Sequence, residues 1–465
     1  MVYCNLCCAT DRLYITCKSQ SLSGEKSEAS PFVDTLCDKL DCNILYEPQL
    51  QLNTDNAPET DLAAFTEFCR RIRTSPGDAL SVKYALKNGE QAEKTEFINS
   101  FIEGNKKELQ PDTAKQLFGS NIYMSATKFD TFNRCRFSFF CRYGLKAQKL
   151  QPADFDVLQR GTIVHYVLER FISGYKKGVA ELSDSEIDSI TDKFIEDYLD
   201  SVVGFRSVET ARTRFLISRV SRSLKEVVRH MAKDFRQTDF EPVACELKIG
   251  GDGIPLEFGF DGGKVRINGS IDRVDEYNGY VRIIDYKTGS KAFKLPDILF
   301  GLNLQMLLYL YAVIRGQNLP DSKAAGILYM PSRRDTNDKG MAMNGLITSD
   351  SEIVRAMDKE LDGEFVPKLK LNKDGTLSKR NNSFIDSERF GEIFDYIEKL
   401  MEKTGKSVLS GDIEVSPVDG RESKACAYCD FATVCGIEDS EAFRVPDLNN
   451  DAVFEAMKGG DAVGD

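Results

Sequence analysis

The chain has 465 residues, 42% of them hydrophobic, and a formal net charge of −12, enough for two or three domains with proper cores. The acidic balance argues against a general nucleic-acid coat protein but leaves room for a local basic channel, because steering depends on patches rather than totals. Thirteen cysteines, an odd number with no secretory leader ahead of them, argue against a disulfide framework and for metal ligation by some of them.

In chain order, the first forty or so residues hold one strand-like run, Arg12 to Cys17, followed by a polar stretch from Ser19 to Ser30. Residues from about 31 to 118 show helical periodicity without a motif, and a denser segment begins near Met124. Ser183-Asp-Ser-Glu186 is a capping-box pattern that opens a helix, and a second long helical run follows from about Val208 to Phe235. Strands dominate from about 243 to 289, a helix covers 297 to 315, and Gly326 to Met330 reads as another strand. The most apolar stretch, Ile298 to Ile314, carries Asn303 and Gln305 and is short for a membrane span. It reads as a buried helix, so the expected location is cytoplasmic, with no membrane partner. Strands between helices predict an α/β fold with a mixed central sheet flanked by helices. The tail after Glu438 is acidic and Gly-rich, which predicts disorder.

The most informative segment is a hairpin. Lys264 to Tyr277 alternates apolar and polar residues, meets Asn278-Gly279, and resumes as Tyr280 to Lys287. Asn-Gly between two such runs is a strong signal for a two-residue primed turn. That turn pairs Tyr277 with Tyr280 and, counting back, sets Asp272 opposite Asp285, with Lys287 on the same face. Opposed carboxylates repel, which makes poor structure but a good site for a hard cation such as Mg²⁺ that a phosphate would share. Glu246, on a strand before the hairpin, either faces the same cleft or is solvated.

Near the C-terminus stands Cys426-Ala-Tyr-Cys429-Asp-Phe-Ala-Thr-Val-Cys435. Thiolates at this spacing ligate Zn²⁺ or an iron–sulfur cluster, and either normally needs a fourth ligand. No His or Cys within the run supplies it, and Cys135, far upstream, is the best placed candidate.

Taken together, these residues resemble the PD-(D/E)XK nucleases of the RecB type. The family's four motifs read here, in the expected order, as Gly161-Thr-Ile-Val-His165, Gly269-Ser-Ile-Asp272-Arg273-Val-Asp275, Asp285-Tyr-Lys287-Thr-Gly289 and Gln305-Met-Leu-Leu-Tyr309. Closer still is the resemblance to AddB-type subunits of AddAB helicase–nucleases, which bracket the nuclease domain with one cysteine before it and a C-x2-C-x5-C run after it. The resemblance implies a restriction-endonuclease-like core with helical insertions and an iron–sulfur staple, here a 4Fe–4S cluster on Cys135, Cys426, Cys429 and Cys435. It also implies a Mg²⁺- or Mn²⁺-dependent DNA exonuclease in which His165, Asp272, Asp285 and the Tyr286 carbonyl hold metal. Lys287 would orient water or stabilise charge, with Gln305 and Tyr309 beside it and Arg273 and Asp275 further out. The implied partners are single-stranded DNA ends and an AddA-type subunit, in double-strand break repair.

The residues around Cys4 to Ile15 look like the last strand of a superfamily 1 helicase core without its arginine, and no Gly-rich phosphate loop follows. Gly405-Lys406-Ser407 is a decoy, since Leu400 stands where the loop needs glycine. The chain therefore looks like the C-terminal part of such a subunit. It divides into a helicase remnant (1–45), a helical or mixed connector (46–118), the nuclease domain (119–438) and the tail (439–465). Lys368, Lys370, Lys373, Lys379 and Arg380 form a basic run that either is solvated or holds phosphates. Two other readings are open: a catalytically dead DNA- or partner-binding scaffold, against which the intact acids and Lys287 argue, and a Cas4-like nuclease of CRISPR adaptation, a much shorter type of protein.

Overall fold

In the computed structural model the described residues are 30–40, 60–74, 76–102, 108–148, 157–203, 211–287, 293–316, 321–332, 341–361, 364–366, 383–437 and 442–459, with single positions 10, 13 and 15. The strand expected at Arg12–Cys17, Gly289 and the basic run from Lys368 to Arg380 lie essentially outside them. Contacts divide the chain into Met1–Asn105 and Lys106–Asp465. The first unit has helices Pro31–Leu40, Asp61–Thr74, Pro76–Leu86 and Ala92–Ile102, with Phe68 and Leu86 at the centre of a small apolar cluster. The connector read over 46–118 is thus split. Its last helix, α1 (Pro111–Phe118), belongs to the second unit, where the Leu109 N–H reaches the Gly411 carbonyl at 2.7 Å.

The second unit is built on an eight-stranded mixed sheet: β1 (Asn121–Ser125), β2 (Glu241–Ile249), β3 (Glu257–Phe260), β4 (Gly263–Tyr277), β5 (Tyr280–Lys287), β6 (Lys323–Pro331), β7 (Asn344–Thr348) and β8 (Phe384–Ile385). The spatial order is β1-β4-β5-β6-β7-β8, with β2 and β3 also paired to β4. Alternation along the central strands assigns the two faces. Ile283, Ile327 and Leu346 enter one core with α2 (Ala126–Arg134), α6 (Gln305–Arg315) and α8 (Ser387–Ser410). Ile284, Leu328 and Ile347 enter another with α3 (Val157–Tyr175), α4 (Asp184–Tyr198), α5 (Ala211–Gln237) and α7 (Ser351–Met357). Helices on both faces of a mixed sheet are the expected architecture. No described helix is long and apolar enough to cross a membrane.

Local signals work as read. Ser183 caps α4 and Glu186 reaches back to the Ser183 N–H at 2.8 Å, completing the capping box. Asn278 and Gly279 have φ of 47° and 78°, the left-handed pair a primed turn requires. The decoy Gly405-Lys406-Ser407 lies inside α8, which ends only at left-handed Gly411.

Two readings are corrected. The helix expected over 297–315 is interrupted: a 3₁₀ turn, Leu295–Phe300, stops at left-handed Gly301, and α6 starts at Gln305. Between them the Asn303 N–H is bound by Asp130 and its amide by Asp297 (3.0 and 2.8 Å), so Gln305 opens a helix rather than lying within one. The tail is not disordered over its described part. Phe443–Arg444 pairs with Val418–Asp419, and α9 (Asn450–Lys458), capped by Asn449, buries Val453, Phe454 and Met457. Average acidity hid an apolar stripe at helical spacing.

Candidate active site and cysteine centre

Strand β4 changes partners midway. Lys264 to Asn268 run parallel to β1, Gly269 to Glu276 antiparallel to β2, and Arg273 to Tyr277 antiparallel to β5. The register read from the turn holds from Tyr277–Tyr280 to Arg273–Ile284, and there the ladder ends. Asp272 and Asp285 would form the next rung. Like charges on one rung repel, and here each carboxylate has its own partner. Asp272 accepts the Tyr286 N–H at 2.8 Å and faces the His165 Nδ1 at 3.2 Å. Asp285 meets the Lys287 ammonium at 2.6 Å. The expected direct opposition is therefore replaced by two adjacent, separately partnered acids, both largely buried (9% and 4% exposed).

His165 reaches this point because α3 spends its apolar stripe, Ile163, Val164, Val167, Leu168 and Phe171, on the core, leaving the next position over to face the sheet end. Glu246 arrives from β2, with its Oε1 3.8 Å from His165 and its Oε2 held by the Ser270 hydroxyl at 2.8 Å. Its φ is +47°. A left-handed glutamate inside a strand is a strained position of the kind found at functional sites. Of the two readings of Glu246, the one that faces the cleft is the observed one. Ligand atoms of His165, Glu246 and Asp272 lie within 4.8 Å of one another. Burial alone would lower the His165 pKa, but hydrogen bonds to Asp272 and Glu246 outweigh it and push it up to about 10. The bond from His165 in turn holds Glu246 below the usual carboxylate range, against burial.

Tyr309 is buried against β4. A Cβ placed on Gly269 would lie 2.3 Å from its hydroxyl, so the glycine of one motif is the seat of the tyrosine of another. Burial raises the Tyr309 pKa, a hydrogen bond from Gln305 opposes this, and the charges of Asp285 and Asp272 add to it. Gln305 and Tyr309 therefore stand beside the two acids. The Tyr286 ring points away, to the Met231 sulfur at 4.0 Å, while its backbone N–H binds Asp272.

Behind the site lies an ion-pair quartet with no solvent exposure. Asp275 accepts from Arg273 Nε and Nη2 (both 2.7 Å) and from Arg282 Nε (2.9 Å), and Asp234 of α5 lies 3.2 and 3.4 Å from the same two guanidiniums. Arg273 also stacks over Phe235 and Arg282 over Phe240. Asp275 and Arg273 thus lie outside the cluster, as read. Asp234 and Arg282 were missed. The available signal was an aspartate inside the apolar stripe of α5, between Ala232 and Phe235. His230 bonds Glu364 at 3.2 Å and stacks on Phe365, a structural role.

Cys135, Cys426, Cys429 and Cys435 line one cavity, whose other walls are apolar apart from Ser138. Cys135 is brought there because α2 ends at it. The C-terminal run is tied back by Arg142–Asp430 at 2.9 Å and by Arg134 donating to the Ser423 hydroxyl at 2.9 Å. Burial raises the Cys135 thiol, and burial together with Cys135, Cys429 and Cys435 pushes nearby Cys141 up to about 11. Among the described residues no three of these thiols come within 4.8 Å of one another, wider than the set around a single tetrahedral ion, where Zn–S is about 2.3 Å.

A sequence profile of the PD-(D/E)XK nuclease superfamily matches residues 123–436. The chain is similar to proteins named as the AddB-type subunit of an ATP-dependent helicase/deoxyribonuclease. That of Clostridium novyi (strain NT) is 28% identical over 389 residues, 76% of this chain and 34% of the relative. That of Clostridium tetani (strain Massachusetts / E88) is 30% identical over 445 residues, 85% of this chain and 38% of the relative. The chain spans about a third of the length of the curated relatives it matches. With the profile covering more than half of the chain and the motif residues gathered at one sheet end, the chain belongs to the PD-(D/E)XK nuclease superfamily.

Proposed function

We propose that this chain is a Mg²⁺- or Mn²⁺-dependent DNA exonuclease, acting on single-stranded ends as the nuclease part of an AddAB-like helicase–nuclease in cytoplasmic double-strand break repair, with an AddA-type subunit as partner. The observation that carries the reading is the convergence of His165, Glu246 and Asp272, with the Asp285–Lys287 pair on the adjoining strand. One imidazole nitrogen and two carboxylates suit a divalent cation that prefers oxygen ligands. Such a cation, when bound, supplies Lewis acidity toward water and phosphoryl oxygen. His165, Asp272 and Glu246 would hold it, with Asp285 and the Tyr286 carbonyl next in reach; Glu246 is the addition to the set read from sequence.

The chain's own groups do the rest. The Tyr286 N–H fixes one Asp272 oxygen, so that the other keeps its direction. Ser270 does the same for Glu246. Lys287, 28% exposed beside buried Asp285, can donate to a water or a phosphate oxygen where negative charge develops. Gln305 and Tyr309 line the same cleft and would position the strand's backbone. The four cysteines, in a cavity without imidazole or carboxylate, fit a thiophilic group, and their wide spacing favours a 4Fe–4S cluster over one zinc ion. It would join the start of the domain to its end and do no chemistry.

The test is hydrolysis of end-labelled single-stranded DNA by the purified chain without ATP, with Mg²⁺ or Mn²⁺ and with EDTA. Cleavage is expected only with metal, and Asp285→Ala should abolish it. Cleavage by Asp285→Ala at the wild-type rate would overturn the assignment.

A further inference from the structure

We propose that the outer face of the N-terminal half of α5 is a binding surface for single-stranded nucleic acid, separate from the cleft. It rests on the nuclease reading for its biological sense but not for its test. In a chain of net charge −12, residues 211–225 hold five cations, Arg212, Arg214, Arg219, Arg222 and Lys225, and no acid. The core side of this helix is fixed by Leu224, Val227, Val228, Met231 and Phe235. The opposite stripe begins with Phe215, Ser218, Arg219 and Arg222, at offsets of three and four, which share one face. All four are exposed, Phe215 by 61%.

The acidic neighbour α4 neutralises only the middle of the helix. Asp192 takes Lys225 at 2.7 Å and Asp188 takes Arg229. Among the described residues Arg219 and Arg222 have no carboxylate partner. Leaving two arginines unpaired beside a helix rich in aspartate is not what surface neutralisation alone would give. The Arg219 guanidinium instead lies over the Phe215 ring, 6.0 Å from its centroid. An exposed aromatic ring next to free guanidiniums is the pairing that single strands use: bases stack on the ring while phosphates meet the cations, without sequence preference. A folded duplex has no free base face to offer Phe215, which is why the commitment is to single strands. The helix rises about 1.5 Å per residue, so the segment from Phe215 to Arg222 accommodates roughly two to three nucleotides of extended strand.

The experiment is fluorescence anisotropy of a labelled oligothymidylate with the full chain in EDTA, so that cleavage plays no part, across a salt series. Arg219→Glu with Arg222→Glu is expected to weaken binding at least about tenfold and to lower the slope of log K against log salt by ~1.4, about 0.7 per lost phosphate contact on a single strand. Phe215→Ala should weaken binding about five-fold or more without changing that slope. Lys403→Glu with Lys406→Glu, an equal charge change on exposed positions of α8, serves as the comparison and should shift affinity less than twofold. Equal losses from the two double reversals would reduce the effect to total charge and overturn the proposal. So would full affinity in the α5 variants, or a loss confined to binding of an acidic protein with oligothymidylate binding intact. Absence of nuclease activity in all variants would sink the catalytic reading alone, because binding is read without metal.

Discussion

Replacing Asp275 by asparagine keeps the size of the side chain and removes one charge from a quartet in which all four side chains have no solvent exposure. Asp275 accepts three of the five contacts in that quartet, at 2.7, 2.7 and 2.9 Å. Asp234, at 3.2 and 3.4 Å, would then face two guanidiniums alone, and the asparagine amide would point a donor at a donor. Breaking a buried pair on one side costs about 3–5 kcal/mol. Nothing here is exposed enough to discount that for screening, against a typical domain stability of about 5–15 kcal/mol. Urea unfolding of the full chain should show this loss. Asp275→Asn with Arg282→Met restores one cation to one anion, so the pair should cost less than the sum of the singles by about 1–3 kcal/mol. The pH dependence has a definite sign. Burial alone would raise the Asp275 pKa, but Arg273 and Arg282 hold it below the carboxylate range. The stability it adds is therefore present above the unfolded value of about 3.9 and is lost as pH falls through the lower folded value. Asp275→Asn should flatten that acid limb. A loss under about 1 kcal/mol, with an unchanged acid limb, would refute the claim that these four charges are dry and mutually compensating.

Lys287→Ala is expected to abolish cleavage while single-strand affinity stays within about twofold, since one lysine adds little to a multi-phosphate contact but much to the transition state; parallel loss of binding would make Lys287 a substrate clamp instead. Cys135→Ala should lower bound iron in anaerobically purified protein from about four per chain and reduce thermal stability, because the cluster closes a long loop. Unchanged metal content would remove Cys135 from the set. Gly269→Ala puts a methyl 2.3 Å from the Tyr309 hydroxyl. It should cut turnover at least about tenfold with a small change in melting temperature, and an unimpaired enzyme would show that Tyr309 has room to move without consequence.

Much of this was legible in the chain because the signals are local. Asn278-Gly279 fixes a turn, the turn fixes a register, and the register brings Asp272 and Asp285 to adjacent strands; Ser183 and Glu186 declare a helix start; the Cys426–Cys435 spacing declares a ligand set. Tertiary packing decided what depends on distant partners. Whether Glu246 faces water or His165 is settled by a left-handed turn of β2 and by Ser270 across the strand pair. Period-two alternation does not carry that information. Asp234 and Arg282 gain meaning only when α5 lies on β4 and β5, since a buried charge is intelligible only beside its counter-charge. The α9 stripe was masked by its acidic surroundings, and the break at Gly301–Asn303 by the apolar run it interrupts. Sequence determined which residues can do the chemistry, because residue type and short spacing are local properties. The structure decided which of them share a cleft, because that follows from how one strand, β4, exchanges neighbours at the point where Gly269 admits Tyr309.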